Sequence, residues 1–249
     1  MKKRLDQILV DKQLFESKTK AQAAILAGLV FVKGQKVDKA GSQFPEDIKI
    51  EVKGAAHPYV GRGGLKLEKA LSEFKVKVKG QTCLDIGAST GGFTDCLLQN
   101  GAKQVYAIDV GYGQLDWKLR NDPRVKVLEK TNARYLKLSD LGLEQSNIEL
   151  AVIDVSFISL DKILPAVYWL LADKAEVIAL IKPQFEAKRE QVGKGGIVKD
   201  PAVHEEVIAK VKAQAEKIGY FVKQFTNSPI SGADGNQEFL IYLLKGYNT

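Results

Sequence analysis

Residues 83–101, "CLDIGASTGGFTDCLLQNG", decide the fold. Residues 82–86 (TCLDI) read as a short buried strand, and "FTDCLLQN" carries apolar residues at helical spacing before Gly101 closes it. Between them lies a loop of small residues. Gly87 permits a tight turn, while Gly91 and Gly92 let backbone amides approach a ligand at a helix N-terminus, which favours a carboxylate or phosphate. The spacing is not G-x-G-x-x-G, so a nicotinamide cofactor is disfavoured. Asp85 closes this strand and Asp109 closes the next, where an acid commonly holds ribose hydroxyls. A glycine turn can be purely structural; the two strand-end acids favour cofactor binding.

Working outward, strand patterns fall at 82–86, 104–109, 125–128, 148–154, 176–182, 219–225 and 238–244, with helical patterns at 161–171 and 201–217. The alternation predicts an α/β domain with a mainly parallel sheet covered on both faces. Upstream, Leu5, Ile8 and Leu9 repeat at helical spacing, Ser17 can cap a second helix, and Gly28 can stop it. "LVFVKGQKV" alternates around Gly34 like a hairpin, and residues 47–52 supply another strand. "VKGAAHPYVG" is punctuated by Gly54, Pro58 and Gly61. The predicted organisation is a small α+β domain at 1–54, a linker at 55–61 and a large domain at 62–249.

The chain has 249 residues with 37 Lys and Arg against 30 Asp and Glu, a net charge of +7. About 11 basic and 7 acidic side chains lie in residues 1–54, a mild footprint for nucleic acid. Lys18 and Lys20 open the second helix, where they either face a phosphate backbone or are ordinary solvated lysines. Two cysteines, Cys83 and Cys96, can build neither a disulfide framework nor a four-ligand zinc site, and the sequence requires no metal. No run approaches the roughly 18–20 apolar residues that span a bilayer, and the basic start breaks into charges before a signal-peptide core forms. A cytoplasmic protein without membrane contact is expected.

Two resemblances sharpen this reading. "RLDQILVDKQLFESKTKAQAAILAGLVFVKGQKV" resembles the RNA-binding module first described in ribosomal protein S-four, including its "GLVFVKG" hairpin. "DIGASTGGFTD" resembles motif I of Rossmann-like methyltransferases, and in particular the TlyA family, which joins that module to an FtsJ/RrmJ-like methyltransferase domain. "YVGRGGLKL", "TNARYL", "DVSFISL", "KPQFEAKREQVGKGGIV" and "GNQEFLIYL" extend the match over nearly the whole chain. Ser89 stands where many methyltransferases carry glycine. The resemblance implies a seven-stranded sheet with an antiparallel last strand, and S-adenosylmethionine bound by Asp85, Gly87, Ser89, Gly91, Gly92, Phe93, Asp109 and Asn132. It also implies methylation of a ribose 2′-hydroxyl in ribosomal RNA or ribosomal subunits, at cytidine, with small-subunit RNA as the first target and large-subunit RNA as the second.

A 2′-hydroxyl is a poor nucleophile, so a protein must position it and help remove its proton. A lysine can take that proton only when burial or a neighbouring cation lowers its pKa. Asp154 and Lys182 each end a strand and so emerge at the carboxyl edge of a parallel sheet, where ligands bind. The Lys-Asp-Lys-Glu tetrad of the resembled enzymes falls on Lys66, Asp154, Lys182 and Glu238. In that reading Lys182 receives the proton, Lys66 lowers its pKa and steadies the hydroxyl, and the two acids orient the pair. Taken singly, Lys66 could be a surface lysine with Lys69 in its place, Asp154 a turn cap and Glu238 an edge-strand charge. The glycine-rich loop 186–200, with Lys188, Arg189 and Lys194, reads as a mobile RNA-facing flap or a plain solvated loop, and Arg62 joins the RNA-binding set. Two further readings are a membrane-active protein, since TlyA relatives have carried a haemolysin label, and an RNA-binding assembly factor without catalysis. The missing amphipathic apolar helix speaks against the first and the filled tetrad against the second.

Overall fold

The computed structural model describes residues 2–12, 14–15, 17–26, 28–52, 58–232 and 235–246. The chain divides into two compact units, Met1–His57 and Pro58–Thr249. Of the expected linker, residues 55–57 lie outside the described residues, whereas Tyr59 is buried and Val60 donates its backbone N–H to Asp95 within the second unit.

In the first unit, β1 (Lys2–Arg4), α1 (Leu5–Asp11) and α2 (Lys18–Leu26) precede β2 (Val30–Val32), β3 (Gln35–Lys36), β4 (Gln43–Pro45) and β5 (Ile50–Val52). Leu5, Leu9, Ala21, Ala24 and Ile25 bury the facing sides of the two helices against Val30 and Val32. The Ser17 hydroxyl accepts the Lys20 N–H at 3.3 Å, and Gly28 turns the chain out of α2 at φ +71°. Strands β3, β2 and β5 form one sheet, and β1 pairs antiparallel with β4 in another. Asp6 is fully buried, accepting two hydrogen bonds from Arg4 and one from Gln22 at 2.7–3.0 Å. A buried carboxylate needs such partners to offset desolvation. Those from Arg4 foremost pull its pKa down to about 2.

The second unit runs α3 (Gly63–Phe74), β6 (Thr82–Ile86), α4 (Gly92–Gln99), β7 (Gln104–Ile108), α5 (Trp117–Arg120), β8 (Val125–Leu128), β9 (Ile148–Ile153), α6 (Leu164–Leu170), β10 (Leu171–Ile181), α7 (Pro183–Glu186), α8 (Pro201–Ile218), β11 (Tyr220–Asn227) and β12 (Phe239–Lys245). Among the described residues its sheet has seven strands in the order β11-β12-β10-β9-β6-β7-β8. Strand β12 runs antiparallel to both neighbours, while β10, β9, β6, β7 and β8 are parallel, so the predicted architecture is present. Val177 to Ile181 of β10 are buried, as a central strand covered on both faces requires. Two apolar layers flank the sheet, one built around α6 and α8 and one around α3 and α4.

The strand order reverses beside β6, whose neighbours are β9 and β7. At this switch point the loops after β6 and β9 separate and leave a crevice at the carboxyl edge. Because β12 is antiparallel, its first residues return to that same edge. No helix among the described residues is long and apolar enough to cross a membrane.

Candidate active site

The loop after β6 is shaped by close backbone approach. Gly87 sits at φ +86°, with its N–H on the Ile108 carbonyl at 2.9 Å, and an added Cβ would lie 2.3 Å from the Asp154 carbonyl oxygen. Glycine here therefore lets the ends of β6 and β9 touch. Ser89 adopts φ +49°, which explains why glycine would serve at this position. A Cβ on Gly92 would meet Gly64 N at 2.9 Å and Gly61 O at 3.0 Å, so this glycine lets α3 start directly against α4. That contact sets the position of Lys66 on α3.

Lys66 Nζ donates to Glu238 Oε2 at 2.6 Å and lies 3.8 Å from Asp154 Oδ2. Lys182 Nζ forms an ion pair with Asp154 Oδ1 at 2.6 Å and donates to Ser156 Oγ at 2.9 Å. Four side chains from α3, β9, β10 and β12 thus form one chain, Glu238–Lys66–Asp154–Lys182. Lys66, Lys182 and Glu238 are buried, and only Asp154 keeps appreciable exposure, 19% of its side chain. Two cations facing two carboxylates satisfy the condition for burying charge. Lys69 is excluded from the cluster: it donates to the Asn227 carbonyl at 2.7 Å and pairs with Glu73.

The cluster lines a cavity of about 320 Å³. Gly87 to Thr90, Gly92 and Phe93 line it as well, together with Arg62, which is exposed. Asp109 lies just outside that lining, its two carboxylate oxygens accepting the Ser89 and Gly111 N–H groups at 2.7 Å each. Each oxygen keeps a lone pair for a further donor. No side chain caps α4 at Gly91; the Thr94 N–H is turned to buried Asp85, while Gly92 and Phe93 at the helix start line the cavity. This donor set fits an amino-acid nucleoside such as S-adenosylmethionine, with a carboxylate at α4 and ribose hydroxyls at Asp109.

Besides Asp109, three expected cofactor residues stand apart from the cavity. Asp85 is fully buried beneath the loop, where Thr94 Oγ1 donates to it at 2.6 Å, and burial pushes its pKa up to about 7. Gly91 caps α4 at φ +99° beside Leu115 and Leu119. Asn132 is exposed and accepts the Arg134 N–H, next to Thr131, whose own N–H bonds the Asp109 carbonyl.

Lys188, Arg189 and Lys194 are exposed, but their loop is pinned. Buried Asn236 accepts the Val198 N–H and donates to the Gly196 carbonyl, both at 2.9 Å. Lys18 and Lys20 are exposed on the first unit.

Sequence reasoning missed Ser156, Gly232 and Asn236. A Cβ on Gly232 would lie 2.6 Å from Glu238 Oε1, so this glycine lets its loop pass over the carboxylate. Ser156 and Asn236 stand inside the quoted motifs "DVSFISL" and "GNQEFLIYL", and that proximity was the available signal.

Comparison with known proteins agrees with this geometry. Residues 59–245 match the FtsJ-like methyltransferase family and residues 3–46 match the S4 domain. YqxC of Bacillus subtilis is 53% identical over 242 residues, covering 97% of this chain and 85% of the relative. The 16S/23S rRNA (cytidine-2'-O)-methyltransferase TlyA of Mycobacterium tuberculosis is 42% identical over 241 residues, covering 96% of this chain and 89% of the relative. A solved structure from Streptococcus thermophilus superposes with a TM-score of 0.78 at 48% identity, covering 99% of this chain and 90% of that one. The chain belongs to the FtsJ-like methyltransferase family and carries an S4 domain ahead of the methyltransferase fold.

Proposed function

We propose that this protein transfers a methyl group from S-adenosylmethionine to the ribose 2′-hydroxyl of a cytidine in ribosomal RNA, presented free or in a ribosomal subunit. The observation that carries the reading is the ion-paired chain of Lys66, Asp154, Lys182 and Glu238 lining the same cavity as the glycine loop. The near full-length likeness to a 16S/23S rRNA cytidine methyltransferase supports the substrate class. Small-subunit RNA is the first target and large-subunit RNA the second, which places the work in the cytoplasm with the ribosomes.

S-adenosylmethionine, when bound, supplies an electrophilic methyl group. Asp109 and Asn132 hold its nucleoside end, and Gly87, Ser89, Gly91, Gly92 and Phe93 shape the loop beside the rest, with Asp85 fixing that loop from below. Lys182 first gives its own ammonium proton to solvent, then receives the hydroxyl proton at Nζ, and the ammonium so restored pairs again with Asp154. Lys66 donates toward the hydroxyl oxygen, and Glu238 fixes its direction. Holding these groups before the substrate arrives removes an orientational barrier that solution chemistry would face. Residues 1–54 act as the RNA-binding domain and the unit that begins at Pro58 as the catalytic one. Lys18, Lys20, Arg62, Lys188, Arg189 and Lys194 meet phosphates, which position the RNA without reading its sequence.

The test supplies labelled S-adenosylmethionine and unmodified ribosomal subunits or free rRNA to wild type and to Lys182→Ala. Transfer by wild type and its loss in the variant is the expected outcome. No transfer by wild type to any of these substrates refutes the activity, and equal transfer by the variant refutes the role of Lys182.

A further inference from the structure

We infer that Ser156 and Glu186 are positioning residues that aim Lys182 at the substrate hydroxyl, Ser156 by direct contact and Glu186 through Ser156. This deepens the proposed function and rests on the catalytic reading of Lys182.

A lysine amine has a tetrahedral nitrogen at the end of a flexible stem, and rotation about its last bond redirects every position on it. One position on Lys182 Nζ is taken by its hydrogen bond to Ser156 Oγ at 2.9 Å, while Asp154 Oδ1 lies 2.6 Å away as an ion-pair neighbour. Lys182 also lines the cavity. The directional bond to Ser156 fixes the rotation of the nitrogen, and with it the direction of a lone pair on the neutral amine. With Asp154 alone, the nitrogen is free to turn, and the lone pair is no longer aimed.

Ser156 is only as fixed as the loop that carries it. Its neighbour Phe157 is 91% exposed and sits at φ +63°, a conformation a bulky residue adopts only when its surroundings hold it there. The holding group is Glu186, which is 4% exposed and lies at the end of the helix that starts directly after Lys182. Its Oε2 accepts the Ser159 hydroxyl at 2.6 Å and its Oε1 accepts the Leu160 N–H at 2.7 Å. Lys210 secures the other side, donating to the Glu186 carbonyl at 2.6 Å. The Phe157 and Phe185 rings lie 5.1 Å apart and add an apolar contact between the same two segments. The segment that carries Ser156 is therefore bolted to the segment that begins at Lys182, by a carboxylate that the tetrad does not use.

The test is a double-mutant cycle on full-length protein, read as single-turnover methyl transfer from labelled S-adenosylmethionine to its rRNA substrate. Ser156→Ala and Glu186→Ala are each expected to lower kcat about 10- to 100-fold with KM for RNA unchanged, the scale of a misaimed catalytic group. The double variant is expected to be no slower than the slower single one, because both changes release the same lysine. Ser156→Thr, which keeps the hydroxyl, and Glu186→Gln, whose amide can serve both Ser159 and Leu160, recover most of the lost rate. In the free protein, the Lys182 ammonium protons followed by 15N NMR exchange faster with water in both alanine variants. Should Glu186→Ala fail to fold, Ser159→Ala takes its place in the cycle.

Losses that multiply in the double variant, a KM effect without a kcat effect, or unchanged exchange at Lys182 overturn the inference. Ser156→Ala at the wild-type kcat with Lys182→Ala inactive removes this inference alone. Wild-type transfer by Lys182→Ala removes the catalytic reading and this inference together.

Discussion

Replacing Gly87 by alanine isolates the most exacting contact in the site. The residue sits at φ +86°, and an alanine Cβ would stand 2.3 Å from the Asp154 carbonyl oxygen and 2.9 Å from its carbon. Ordinary contact needs about 3.2 Å or more, so one backbone must retreat by roughly 1 Å. Neither can do so freely, because Gly87 N–H is bonded to Ile108 and Asp154 N–H to Ile86, both at 2.9 Å. The left-handed conformation itself costs about 1–2 kcal/mol for alanine, partly offset by the stiffer unfolded chain. Overpacking against fixed backbone adds about 1–3 kcal/mol, for a total of about 2–4 kcal/mol. Gly80 is the control: it has φ +82° with nothing within 4 Å of an added Cβ, so Gly80→Ala should cost only about 1 kcal/mol. Urea unfolding of both variants measures the difference, and methyl transfer measures its consequence. A 1 Å shift at Asp154 should reduce kcat about 100-fold in Gly87→Ala and leave Gly80→Ala near wild type. Equal stabilities for the two variants, or a Gly87→Ala enzyme with wild-type kcat, would refute the argument from close approach.

Other outcomes follow from charge. The Asp6 carboxyl, pulled down to about 2 chiefly by its hydrogen bonds from Arg4, contributes stability that is present above its unfolded value of 3.8 and lost as pH falls toward 2. Arg4 is half exposed and screens part of this, so Asp6→Asn should cost about 1–2 kcal/mol at neutral pH and almost nothing at pH 2, read by urea titration at both. Asp85 has the opposite sign: burial pushes its carboxyl up from 3.8 to about 7, so wild type loses stability as pH rises from 3.8 to about 7 and then levels off. Asp85→Asn should match wild type near pH 4 and exceed it in thermal melts above pH 7, and a variant less stable at pH 8 would reverse this account. Exposed Lys18, if it meets a phosphate, should lower the slope of log affinity for rRNA against log salt by about 0.7–0.9 when changed to alanine. An unchanged slope would remove it from the RNA interface.

What the sequence made legible was whatever depends on near neighbours in the chain. The strand pattern at 176–182 located the core of β10 and put Lys182 at its carboxyl end. Strand β1 was not legible, because three residues of basic side chains carry no periodicity and the strand exists only through pairing with β4. The start of β10 was misread for a related reason. Residues 161–171 carry helical spacing, yet Leu171 already pairs with Ile148, and the register shift before Glu176 is what lets a helix pass into a strand with no loop between. The burial of Asp6 is visible only in the structure, through its partners Arg4 and Gln22.

The candidate site divides along the same line. Lys66, Asp154 and Glu238 each had an innocent reading taken singly, and the structure brings them to Lys182 through two features that local pattern does not encode. One is the strand order, which inserts the last strand of the chain beside β10 and so brings Glu238 to the edge where Lys182 ends. The other is the touching of glycines 61, 64 and 92, which seats α3 and delivers Lys66 to Glu238. Ser156 and Glu186 were harder still. Their bonds to Lys182 and to residues 159–160 span 26 to 27 positions, and neither a serine in a turn nor a glutamate after a strand advertises a partner. The proposed tetrad could be found by motif, because the resemblance names its members. The groups that aim it are chosen only by where the backbone has already put them, so they emerge from geometry and not from pattern.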